Sequence, residues 1–104
     1  MSDGESFGLS ALADLRVVEL GVWVAAPSAA ALLADWGADV IKIEAPTGDP
    51  MRNVFGSIGI GGDLPNPAFA LDNRGKRSVV LDLRDPDGRE IGRASCRERV
   101  CLGV

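Results

Sequence analysis

Two stretches of this 104-residue chain have residue types and spacings suited to holding an anion. The run Asn73-Arg74-Gly75-Lys76-Arg77 sets three cations and an amide around a glycine. Guanidinium and ammonium groups bond phosphate oxygens, and glycine lets the backbone come close, so the run suits a polyphosphate. A solvated polar turn is the competing reading. Arg52, in Thr47-Gly48-Asp49-Pro50-Met51-Arg52, is a permanent cation suited to phosphate, or else a surface partner of Asp49. A third stretch, Gly21-Val22-Trp23-Val24-Ala25-Ala26-Pro27, offers small residues ahead of a helix. There a ligand can approach the backbone and the first free N–H groups of the helix; a plain connection is the alternative.

Other chemistries lack their residues. The chain has no His, so it holds neither a Ser-His-Asp nor a Cys-His centre, and metal sites are poorly supplied. Cys96 and Cys101 have no metal-ligand spacing, and no disulfide is expected of them. Glu44 ends a strand downstream of Gly21, where a nicotinamide enzyme would hold a ribose hydroxyl. The G-x-G-x-x-G run is missing, so Glu44 reads as a solvated strand-end carboxylate. Trp36 is expected in the core. Trp23 also reads as a core residue, with stacking on a ring or lining an acyl channel as the alternative.

These residues need a scaffold, and Arg16–Glu44 supplies its centre. Arg16–Leu20 is a short β-branched run. Pro27 suits the first position of a helix, where its missing N–H costs nothing. Ser28–Trp36 is rich in Ala and Leu. Gly37 suits a left-handed helix end. Asp39–Glu44 is a second strand. Strand, helix and strand at this length predict two parallel strands with a right-handed crossover. A ligand then belongs at the carboxyl ends, Gly21–Pro27 and Glu44–Arg52. The fold class is therefore α/β with a parallel βαβ unit.

Downstream, residues 45–70 carry four prolines and five glycines and read as a long functional loop, with a short helical or extended piece at Phe69–Leu71. Ser78–Leu83 is a third, mostly buried parallel strand. Asp85 and Pro86 look like the cap and first residue of a helix, which gains only Arg89 and Glu90 before the sequence changes character.

Composition frames these elements. Apolar residues make up 46%, enough for a core, and the net charge of −4 argues against a general nucleic-acid binder. No stretch is apolar enough to span a membrane, and residues 1–11 read as a polar leader rather than a signal peptide, so the cytoplasm is the expected compartment. Residues 91–104 hold both cysteines and three arginines, a basic appendix on an acidic chain. IGRASCRERV looks like a sequencing adapter translated in frame, and the segment is expected to be non-native.

Taken in order, VVELG-x-W-V-A-x-P, LLADWGADVIKIE, P-x-GDPMR and NRGKRSVVLDLRDPDGRE resemble the class III CoA-transferases of CaiB/BaiF type. That superfamily also contains the α-methylacyl-CoA racemases. The resemblance covers about residues 12–90. It implies the amino-terminal, Rossmann-like part of a larger subunit that interlocks with a second copy into a homodimer. It implies no resident cofactor, with CoA entering as substrate or carrier, and a CoA thioester and a carboxylic acid as partners. It puts Val24 and Ala25 against CoA and the reacting thioester, and Arg52 with Asn73, Arg74, Lys76 and Arg77 where nucleotide and phosphate contacts fall. Ala45 stands where some transferases carry an adenine-facing Arg. Val22 replaces a polar residue of the oxalate-linked members, which disfavours a small dicarboxylic acyl group. The family's transferases use an Asp that forms a mixed anhydride, and its racemases a His and Asp pair. Both fall downstream of Glu90, and none of Asp35, Asp39 or Asp49 is assigned that role. A non-catalytic nucleotide-binding module is the remaining alternative.

Overall fold

The computed structural model describes residues 11–53, 66–97 and 99–103. Strand β1 (Arg16–Glu19) leads to helix α1 (Ala25–Asp35) and strand β2 (Asp39–Glu44). A 3₁₀ turn at Pro50–Asn53 follows, then α2 (Pro67–Asn73), β3 (Lys76–Val80), α3 (Pro86–Arg97) and β4 (Val100–Leu102). The four strands form one sheet in the order β3-β2-β1-β4, and every neighbouring pair is parallel. The α/β expectation holds.

The β1–α1–β2 unit forms where the sequence places it, with one shift. Helix α1 begins at Ala25, so Pro27 occupies its third position rather than its first. The N–H there still lacks an intrahelical partner, so proline is tolerated. The helix ends as expected at Gly37, with φ +106°. The Gly37 N–H bonds Ala34 O at 3.0 Å and the Ala38 N–H bonds Leu33 O at 3.0 Å, which satisfies two terminal carbonyls.

Side chains alternate across each strand, so register decides what faces α1. Val17 pairs with Val40, and Glu19 with Lys42. The α1 side is therefore apolar at its amino half and ionic at its carboxyl half. Val17 and Val40, at most 1% exposed, pack with Ala30 and Ala38 into the core. Burying each valine contributes roughly 1.5–3 kcal/mol. Ala30 and Ala31 are fully buried, and their small side chains let α1 lie close to the sheet.

Other elements differ from expectation. β3 starts at Lys76, two residues before the expected Ser78, so Lys76 and Arg77 are strand residues rather than turn residues, and it ends at Val80, three residues before the expected Leu83. It is exposed along most of its length, not buried, because it forms an outer strand among the described residues. The Phe69–Leu71 piece belongs to α2, capped by the Asn66 side chain, which accepts the Phe69 N–H at 3.0 Å. α3 starts at Pro86 as expected but continues to Arg97. Residues 100–102 then add β4 against β1. The return from α3 into β4 brings Cys96 and Cys101 to a Cα separation of 5.5 Å and joins them as a disulfide, contrary to expectation. Trp36 and Trp23 are about half exposed, so neither is a core residue. The expected leader, apart from Ala11, and residues 54–65 of the long loop lie outside the described residues. Among the described residues, no helix is long and apolar enough to cross a membrane.

Candidate functional site

The carboxyl end of the sheet carries the densest polar chemistry of the molecule. Glu19 and Lys42 end up side by side because parallel pairing aligns them, and Lys42 Nζ lies 2.8 Å from Glu19 Oε2. Both are buried. Lys42 also meets Asp49 Oδ2 at 2.9 Å and donates to Gly21 O at 3.4 Å. Lys76 closes on the other Glu19 oxygen at 2.5 Å. It donates in addition to Pro27 O, Asp72 O and Asn73 Oδ1 at 2.9, 3.0 and 2.7 Å. Burial lowers the Lys76 pKa, and the Glu19 carboxylate only partly offsets that.

A second cluster adjoins the first. Glu44 accepts Arg52 Nε at 2.8 Å and Arg52 Nη2 at 2.7 Å, a bidentate pair. It also accepts Ser78 Oγ at 2.6 Å and the Asp49 N–H at 2.9 Å. The Arg52 bonds, helped by Ser78 and Asp49, pull the Glu44 pKa down to about 2 against the cost of burial. Glu44 is therefore not the solvated carboxylate expected, and Arg52 pairs with it rather than with Asp49. The Arg52 guanidinium also lies over the Phe69 ring, 4.0 Å from its centroid.

Asp49 joins the two crest loops. Its Oδ1 accepts the Trp23 N–H at 3.2 Å and the Met51 N–H at 2.9 Å. Burial would raise its pKa, but Lys42 and these two N–H groups outweigh burial and lower it. Trp23 has φ +67°, a left-handed conformation that a bulky residue rarely adopts. Val24 and Ala25 follow at once, both exposed, and no side chain caps the start of α1.

The seven expected site residues divide into two sets. Val24 and Ala25 open α1 after β1, and Arg52 lies in the turn after β2, so all three fall beyond the carboxyl ends of the strands. Asn73, Arg74, Lys76 and Arg77 do not form the single cation cluster expected of them. Strand alternation sends Lys76 under α1, with its side chain 2% exposed, while Arg77 pairs with Asp39 at 2.7 Å near the amino end of β2. Arg74 pairs with Asp35 at 2.6 Å and donates to Leu71 O. Asn73 faces Lys76. Glu19 and Lys42 are site residues that the sequence did not mark, and Asp49 was expected only as a surface partner of Arg52. The signal available was an ionisable residue inside each apolar strand run, VVEL and VIKI, where a buried parallel strand should be apolar throughout. Among the described residues, no cluster of His, Cys, Asp and Glu could hold a metal ion.

The sequence profile of CoA-transferase family III matches residues 12–94. The chain belongs to CoA-transferase family III. It is 42% identical over 81 residues to (R)-2-hydroxy-4-methylpentanoate CoA-transferase of Clostridioides difficile, across 77% of this chain and 20% of that protein. It is 46% identical over 81 residues to succinyl-CoA–D-citramalate CoA-transferase of Chloroflexus aurantiacus, across 77% of this chain and 19% of that protein. It resembles the crystal structure of a CaiB/BaiF family protein from Brucella suis, with a TM-score of 0.76 and 40% identity. That match covers 88% of this chain and 25% of the other. The chain thus spans about a fifth of the length of the family III transferases it matches.

Proposed function

We propose that the chain forms the amino-terminal part of a CoA-transferase that moves CoA between an acyl-CoA and a carboxylic acid. The acyl group would pass through a mixed anhydride with an Asp carried elsewhere in the complete subunit, and two subunits would interlock as a cytoplasmic homodimer. This chain alone would be inactive. Its contribution would be a share of the CoA site, with CoA as substrate rather than resident cofactor. Val24 and Ala25 would face the thioester, and Arg52 would lie beside the nucleotide. Asn73, Arg74, Lys76 and Arg77 would line the flank along β3, with Lys76 acting from beneath through Asn73. Residues 12–90 would belong to the transferase domain, and residues 91–104 would be non-native.

The observation that carries this reading is the uncapped start of α1 at the carboxyl end of a parallel sheet, with exposed Val24 and Ala25 on a crest that the Trp23–Asp49 hydrogen bond ties to the Arg52 turn. Such a helix start offers free N–H groups and a positive dipole end to a polarised carbonyl oxygen. A thioester needs its carbonyl and pantetheine held against backbone, and small residues permit that approach. The relatives' substrates, a hydroxy acid in one and succinyl-CoA in another, leave the acyl group open.

An acyl-CoA racemase is the competing chemistry within the resemblance, and a non-catalytic nucleotide-binding module lies outside both. One assay separates the three. The complete enzyme is incubated in heavy water with a chiral α-methylacyl-CoA and a second carboxylic acid, and the products are weighed by mass spectrometry. Transfer predicts CoA on the second acid with no deuterium at the α-carbon. Deuterium at the α-carbon without exchange of CoA would point to racemisation, and no product would favour the module.

A further inference from the structure

Trp23 raises a question that its own side chain does not answer. Its left-handed backbone, φ +67°, costs an L-residue roughly 1–2 kcal/mol. The indole is 48% exposed, so burial of the ring does not account for the conformation. The compensation lies in the backbone. The Trp23 N–H donates to Asp49 Oδ1 at 3.2 Å, and Asp49 is 1% exposed. A buried carboxylate is costly unless it is paired; one oxygen of this one takes two N–H groups, and the other has an ion pair but no hydrogen bond among the described residues. Oδ1 takes the Met51 N–H at 2.9 Å as well, and Oδ2 faces Lys42 Nζ at 2.9 Å. Lys42 is fixed in turn by Glu19 and by the carbonyl of Gly21. One carboxylate therefore holds the crest between β1 and α1, the turn that carries Arg52, and the lysine from β2.

We propose that Asp49 is the positioning residue of the CoA site: it holds Trp23 left-handed so that Val24 and Ala25 open α1 toward the ligand, and it holds Met51 so that Arg52 faces the same crest. Asp49 touches no ligand in this account. The proposal rests on Val24 and Ala25 being CoA contacts, and it adds the residue that fixes their geometry before the ligand arrives. Pre-formed geometry matters because loss of a single hydrogen bond at the crest lets the next two residues drift.

The test uses the complete enzyme carrying Asp49→Asn, Asp49→Ala, and Asp49→Ala combined with Trp23→Gly. Hydrogen exchange is read at the Trp23 amide, with the β1 amides of Val17 and Val18 as internal controls. KM and kcat are read for the CoA thioester. In Asp49→Ala the Trp23 amide should exchange about tenfold faster while Val17 and Val18 hold, and KM should rise about tenfold, the factor worth one hydrogen bond of roughly 1.4 kcal/mol. The value of kcat should change less than twofold. Asp49→Asn, which keeps an acceptor oxygen, should fall between wild type and Ala, and it carries the test if the Ala variant does not fold. Trp23→Gly should recover part of the KM, because glycine adopts φ > 0 without help. Unchanged protection of the Trp23 amide would overturn the proposal, and so would equal losses in KM and kcat with no recovery by glycine. An enzyme with no CoA-transfer activity in the wild type would instead sink the functional reading, and the exchange measurement would still decide whether Asp49 holds Trp23.

Discussion

Glu44 shows how far environment can move a single carboxylate. The bidentate Arg52 pair, with Ser78 and the Asp49 N–H, lowers its pKa to about 2 from 4.5. A folded pKa below the unfolded one means that the ionised form stabilises the fold. That contribution, on the order of 3 kcal/mol, is complete above about pH 4.5 and drains away as pH falls toward 2. Denaturant melts of the complete enzyme between pH 5 and pH 2.5 should show the loss, and Glu44→Gln should flatten it. Lys42 sits at the junction of two buried carboxylates, so removing it strands Asp49 Oδ2 and leaves Glu19 to Lys76. Lys42→Met should cost roughly 3–5 kcal/mol by chemical denaturation. Arg77→Ala breaks only the exposed pair with Asp39 and should cost at most about 1 kcal/mol. If the two variants melted alike, the buried network would not be holding the carboxyl end of the sheet.

Among the elements, β1–α1–β2 was legible because each boundary had its own local cause. Arg16–Glu19 and Asp39–Glu44 are β-branched or apolar runs, and Gly37 ends α1 with φ +106°. The start of the third strand was misplaced by two residues because Lys76 and Arg77 look like turn residues. Only the partner strand reveals why they are not: Lys76 finds Glu19, and Arg77 finds Asp39. No local pattern reports such long-range partners. The same limit hid the ionic half of the α1 face, which exists only once parallel register sets Glu19 beside Lys42. The two tryptophans are exposed, contrary to expectation, because Trp23 sits at the crest and Trp36 caps the end of α1. The crest itself is tight. A Cβ on Gly21 would lie 2.3 Å from Ala26 Cβ, so Gly21→Ala must push the start of α1 away from β1. It should cost about 1–3 kcal/mol in a thermal melt and weaken CoA binding with it. At the other side of the sheet, β4 is a three-residue strand on the free edge of β1. A free edge accepts any extended segment, so pairing there does not require a native strand.

The whole molecule exposes what a longer subunit would cover. Leu71, Val79, Val80, Trp23 and Trp36 are all large, apolar and at least 41% exposed, and among the described residues β3 leaves one edge of the sheet open. The chain spans about a fifth of its relatives' length, and under the proposed function such surface would be covered by the rest of a longer subunit. Expressed alone, the 104 residues should associate and melt without a sharp transition, as scattering and calorimetry would record. A cooperative monomeric melt would show that they form a self-sufficient domain. The central claim concerns the crest, and equilibrium binding of CoA to the complete enzyme tests it most directly. Ala25→Asp puts a carboxylate at the start of α1, where it would occupy the free N–H groups and crowd the thioester end of CoA while favouring the helix itself. The account predicts a Kd for CoA at least about tenfold weaker, the effect of losing roughly 1.4 kcal/mol, with the thermal midpoint unchanged or raised. An unchanged Kd in that variant would contradict it.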